Sequence, residues 1–153
     1  CKNSIFALLI TKDMKKILFI AVAIILATSC HAQTDSITFA GKIENKEYDV
    51  YIVMNFYENN IMIPGQSILG KVSGFFGDLH DGRKWIFTSA DIKGNIANLE
   101  ITNDYGSEDL TATLTYNTDG TYTLEQKDGS TLKIARNRKW IKMPKQLYFT
   151  KVR

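Results

Sequence analysis

The sequence predicts an all-β domain: a single antiparallel β-barrel wound as an up-and-down meander, with a two-sheet β-sandwich as the alternative. Three observations carry that expectation. From residue 33 onward apolar and polar residues alternate at period two, whereas no window longer than ten residues keeps a helical period. Asp-Gly pairs and other turn-forming clusters fall between the alternating runs. The chain holds 2 Pro against 10 Gly, 8 Phe and 7 Tyr, so Gly, Asn and Asp make the turns and aromatics fill the core. Its 153 residues suffice for one domain and not two. With 44% apolar and 23% charged residues, the composition excludes a disordered tail, a collagen-like repeat and a polytopic membrane protein.

Residues 1–13 read as an upstream, non-native extension, because Cys1 cannot initiate a chain and Met14 is followed by Lys15 and Lys16. The unbroken apolar run 17–27 then completes a secretory signal peptide over 14–32. That run is short for a permanent span, which takes about 20 apolar residues. The stretch Leu26, Ala27, Thr28, Ser29, Cys30 resembles a bacterial lipobox, departing from it at Ala27, where an aliphatic residue is usual. The resemblance implies lipidation of Cys30 and a periplasmic or outer-membrane lipoprotein anchored through that lipid. The alternative is cleavage after Ala32, which would release a secreted protein beginning at Gln33. Either way residues 33–153 form the β domain. They contain no cysteine, so stability rests on core burial rather than on disulfides.

Along that domain, Ile37, Phe39, Gly41 and Ile43 alternate with polar or small partners. From Tyr48 to Tyr57 one face reads Tyr48, Val50, Ile52, Met54, Phe56 and the other Asp49, Tyr51, Val53, Asn55, Tyr57, as a central strand would. Pro64 ends the short run 61–63, since proline cannot donate to a central ladder. Leu110, Ala112, Leu114 and Tyr116 alternate with Thr111, Thr113 and Thr115, and Tyr122 and Leu124 continue against Thr121 and Thr123. Leu132 and Ile134 follow, and 147–152 reads as the closing strand. Asp81-Gly82, Asp119-Gly120 and Asp128-Gly129 are the expected hairpin turns, with further turns at 44–46, 58–60, 94–95 and 103–107. Eight to ten short strands in sequence can be closed by a barrel or stacked as two sheets, and short successive hairpins favour the barrel. In architecture this resembles lipocalin and avidin barrels, although no signature motif of either is present.

The domain carries 15 basic and 15 acidic side chains, but unevenly. Residues 33–126 hold 6 basic against 14 acidic, and residues 127–153 hold 9 basic against 1 acidic. The basic segment is the most unusual feature: Lys133, Arg136, Arg138, Lys139, Lys142 and Lys145 surround Trp140. Interleaved cations and aromatics suit an anionic partner such as a phosphorylated lipid headgroup or an acidic glycan. The plainer expectation is that these cations face the acidic strands and that Trp140 plugs a barrel end. Tyr48, Tyr51, Phe75 and Trp85, with Tyr57, Phe76 and Phe87, are candidates to line a ligand cavity or simply to pack.

Other constellations are weaker. His80 lies between Asp78 and Asp81 at a hairpin tip, where water surrounds it. Glu100 with Asp104, or Glu108 with Asp109, could serve glycoside hydrolysis only if two were aimed at one bond. The cluster Asn103, Asp104, Ser107, Glu108, Asp109 lacks the spacing of a calcium loop. Gly70, Gly74 and Gly77 precede no helix and so make no phosphate loop; strand bends explain them better. Two His and two Cys leave little for a metal or thiol site, and no catalytic residue, metal or cofactor is expected. The reading is an exported envelope protein, a non-enzymatic small β-barrel binding a small ligand or another envelope protein. Its partners include the membrane if Cys30 is modified, and exclude nucleic acid. A carboxylate hydrolase of envelope polymers and a purely structural lipoprotein are the alternatives.

Overall fold

The computed structural model describes residues 37–152; the segments assigned to an upstream extension and a signal peptide, and Cys30 with them, lie outside the described residues. Eight strands close an antiparallel barrel: β1 (Ala40–Asn45), β2 (Val50–Asn55), β5 (Gly74–Asp78), β6 (Lys84–Lys93), β7 (Ile96–Asn103), β8 (Asp109–Tyr116), β9 (Tyr122–Gly129) and β12 (Gln146–Lys151). Each pairs with the next barrel strand in the chain, and β12 returns to β1, so the meander expectation holds. Two small ribbons interrupt it. β3 (Ile61–Met62) pairs with β4 (Lys71–Val72) between β2 and β5, and β10 (Lys133–Arg136) pairs with β11 (Lys139–Lys142) between β9 and β12. The seam is sutured by buried Asn45, whose Nδ2 donates to the Tyr148 carbonyl (2.8 Å) while its Oδ1 accepts from the Tyr48 N–H (2.9 Å).

An eight-stranded barrel is just wide enough for side chains to fill, and this one is filled. Ile43, Ile52, Met54, Phe76, Phe87, Leu99, Leu114, Leu124 and Phe149 point inward and are buried. At the end where the described chain enters, Phe39 stacks on Phe56 (5.8 Å) and meets Tyr122 edge-on (6.4 Å), while the Tyr122 hydroxyl donates to the Thr38 carbonyl (2.6 Å). Outward positions such as Lys42, Glu44, Thr111, Thr113, Glu125 and Lys127 are polar and wholly or partly exposed, so the wall is built to meet water and inverts the lipid-facing pattern.

Strand β2 is central, paired with β1 and β5, and its outer face is covered as well. Tyr51, Val53, Phe75 and Ile86 lie on the outside of the wall, and segment 56–73 folds down over them as a strap, adding Ile61, Ile63 and Val72 to a second small core. Gly74 and Gly77 answer close approaches rather than bends: a Cβ on Gly74 would stand 2.5 Å from the Val53 carbonyl oxygen, and one on Gly77 2.6 Å from the Tyr51 ring. Gly70, at φ 67°, caps the turn Ser67–Leu69 in the strap and lies outside the barrel strands. Asp81-Gly82 and Asp119-Gly120 occupy hairpin turns as expected. Asp128-Gly129 does not. Gly129 (φ 97°) ends β9 opposite Leu110, at the register shift between Leu110 and Ala112, and a Cβ on it would stand 2.5 Å from the Asp109 carbonyl oxygen.

Candidate functional site

The four connections at the other end of the barrel bring the chemistry together: turns 46–49 and 79–83, loop 104–108 and the excursion 130–145. The excursion is fastened to the barrel from beneath. Leu132, Ile134 and Met143 enter the core and close this end, the Trp85 indole N–H donates to the Lys133 carbonyl (3.1 Å), and buried Gln126 holds both feet of the ribbon. Its Oε1 accepts from the Leu132 N–H (2.8 Å) and its Nε2 donates to the Pro144 carbonyl (2.8 Å). Trp140 is not the plug. It stands outside, 57% exposed, with the Arg83 guanidinium 4.4 Å from its ring centroid and the Lys133 ammonium at 6.0 Å.

The basic segment divides into two kinds of cation. Arg136 is internal: it pairs with the buried carboxylate of Asp78 and donates to the Tyr48 carbonyl (2.8 Å). Lys133 pairs with Glu108 (2.6 Å). Lys145 sits near the Glu125–Lys127 pair, which holds the Glu125 carboxyl below its ordinary range chiefly through the hydrogen bond from Lys127. Arg138, Lys139 and Lys142 are exposed and make no ion pair among the described residues. Arg138 is held at φ 62° beside Asn137 at φ 51°, a two-residue hairpin turn in which glycine would be less strained.

Between the ribbon, the 79–83 turn and the 104–108 loop lies a cleft of about 210 Å3, lined by Phe76, Trp85, Tyr105, Trp140, Arg83, Lys84, Lys133, Asp81, Asp104 and Glu108 among others. Its charges are organised. Arg83 forks onto Asp81 (2.9 and 3.0 Å), whose carboxyl is held below the ordinary range first by the Arg83 backbone N–H and then by its side chain. Asp104 Oδ2 accepts from the Lys84 N–H (3.2 Å) and from Gln66 at the strap tip (3.3 Å). Asn103 ties the loop, its Oδ1 accepting from the Ser107 N–H (2.9 Å) and its Nδ2 donating to the Ser107 hydroxyl (3.0 Å). The acidic cluster around Asp104 is thereby explained by loop bonding, and among the described residues no group of three or more His, Cys, Asp or Glu could hold a metal. Glu100 lies on the outer wall in β7, away from the cleft lining.

No family model, characterised protein or solved structure matches this chain.

The aromatic candidates do not converge on one cavity. Tyr51 and Phe75 meet edge to face (6.0 Å) outside the wall under the strap, and Trp85 belongs to the core with its indole edge at the cleft. Tyr48 packs half-buried beside the core, where burial and then Glu47 push its hydroxyl above the ordinary range. His80 is exposed on the 79–83 turn and reaches Asp49 on the 46–49 turn (3.0 Å). Two larger concavities, about 720 and 340 Å3, are open grooves on the outer wall of β6–β9, lined by threonines and by Glu100, Asp109, Asp91 and Asp128. The unequal charge of the sequence is thus partly spatial, with acids on that wall and free cations at the ribbon. Tyr105 and Trp140, far apart in sequence, both line this cleft.

Proposed function

We propose that this protein is an exported, non-enzymatic binding module of the cell envelope that engages an anionic partner through its ribbon end. The observation that carries the reading is the division of the ribbon's cations: Arg136 and Lys133 are consumed in fastening it, whereas Arg138, Lys139 and Lys142 project without partners beside an exposed tryptophan. A barrel packed with side chains leaves an apolar carrier nowhere to hold its cargo, which favours surface recognition. Asp81 is kept ionised by Arg83, so it is poorly suited to donate a proton as a hydrolase acid must.

The test is binding of the full chain to immobilised dextran sulfate and to neutral dextran at 50 and 200 mM salt. Three contacts to a polyanion predict a loss of roughly 20- to 40-fold over that range. The triple variant Arg138→Gly, Lys139→Ala, Lys142→Ala should bind weakly at both salts. Equal binding by the variant and the wild type would refute the ribbon as the contact surface.

A further inference from the structure

The geometry points to the cleft under Trp140 as a subsite for one pyranose ring of an acidic glycan, which makes the anionic partner a polysaccharide rather than a lipid or a sugar-free polyanion. This rests on the ribbon reading above and adds to it.

Charge balance is the first argument. The cleft lining holds four carboxylates, Asp78, Asp81, Asp104 and Glu108, against Arg83, Lys84 and Lys133. Asp78 is neutralised by Arg136. Such a site offers no net attraction to a phosphate or sulfate, but its fixed, paired dipoles suit hydroxyl groups, which donate and accept together. Two of its polar groups are still unused: Asp104 Oδ1 and the Tyr105 hydroxyl make no hydrogen bond among the described residues.

The shape of the cleft points the same way. About 210 Å3 is below the size of a pocket for a drug-sized ligand and leaves room for a single ring. Trp140 and Tyr105, 57% and 76% exposed, stand at its mouth. The Arg83 guanidinium stands over one face of the indole, 4.4 Å from its centroid, and is itself forked onto Asp81, so the ring is held in place before any ligand arrives and offers its other face and edge. A pyranose presents a C–H face to such a platform and a hydroxyl rim to the polar walls. The partnerless cations lie on the same ribbon, with Lys142 directly opposite Lys133 in the β10–β11 register. A neutral ring site beside free cations matches a chain of sugar rings that bear carboxylates or sulfates, and matches neither partner feature alone.

The experiment compares polygalacturonate, a glycan whose every ring is acidic, with polyphosphate, a polyanion without rings, using the full chain. Trp140→Ala and, separately, Tyr105→Ala are assayed once circular dichroism and melting show that each folds as the wild type does. Tyr105 lies in an exposed loop, so its variant keeps the test decisive should Trp140→Ala loosen the ribbon. Each aromatic variant is expected to weaken polygalacturonate binding at least fivefold and to leave polyphosphate binding within twofold. Unchanged polygalacturonate binding, or an equal loss for both probes, overturns the ring subsite. If the ribbon-cation variant still weakens both probes in that case, the anionic reading stands and only the sugar assignment falls. If that variant also binds both as the wild type does, the two fall together. Tighter binding to phosphatidylglycerol vesicles than to polygalacturonate, lost in Trp140→Ala, would assign the tryptophan to a membrane and likewise overturn the proposal.

Discussion

Arg136→Ala should unlatch the ribbon and destabilise the barrel far more than removal of any neighbouring cation. Asp78 is buried, its carboxylate accepts the His80 N–H (2.9 Å), and Arg136 supplies its countercharge. Deleting one partner of a buried pair costs about 3–5 kcal/mol, because the remaining charge stays desolvated. The Arg136 side chain is 24% exposed, so water would reach the gap and the lower end applies, about 3 kcal/mol. For a domain of this size that is a fall in Tm of roughly 10–15 °C. Chemical denaturation of the full chain followed by tryptophan fluorescence measures it, with Trp85 anchored to the ribbon as reporter. Arg136→Ala combined with Asp78→Asn should recover part of the loss, since a buried amide is less costly than an unpaired carboxylate. A loss below about 0.5 kcal/mol, equal to that of Lys139→Ala, would refute the division of the basic segment into internal and free cations.

Gly129→Ala should cost more than about 2 kcal/mol in urea denaturation, since its φ of 97° disfavours a side chain and its Cβ would press on the Asp109 carbonyl. Arg138→Gly should raise stability by about 0.5–1 kcal/mol by relieving the left-handed turn while weakening polyanion binding, a pairing visible by melting one sample and titrating another. Asp81, Asp119 and Glu125 all titrate below their ordinary ranges when folded, held down by Arg83, Thr121 and Lys127. Their stabilising contribution is present above the unfolded values, near pH 4, and disappears as pH falls through the lower folded values, so melting temperature should stay level from neutrality to about pH 5 and drop below pH 4.

How much the sequence disclosed depended on distance along the chain. Alternation at Leu110, Ala112, Leu114 and Tyr116 is a local signal, and β8 and its partners follow it. The run 48–57 marks a central strand, and β2 is paired on both edges, with β1 and β5, but the 56–73 strap over its outer face is read from contacts and not from periodicity. Asp128-Gly129 shows the limit of a dipeptide signal: the same tolerance of positive φ serves a turn or a bulge, and only the strand opposite decides. The latch from Arg136 to Asp78 spans 58 residues and forms because closure places the 79–83 turn beside the ribbon. Trp140 and Tyr105 likewise share a cleft only through the order of the strands.

The most direct test of the ribbon-end account is an amide chemical-shift map of the full chain titrated with a short polygalacturonate oligomer. The account predicts shifts confined to the Arg138–Lys142 region, the 79–83 turn and the 104–108 loop, with the inward residues Leu114, Leu124 and Phe149 unmoved. Shifts centred on those inward residues, or on the threonine-lined outer wall of β7 and β8, would contradict it.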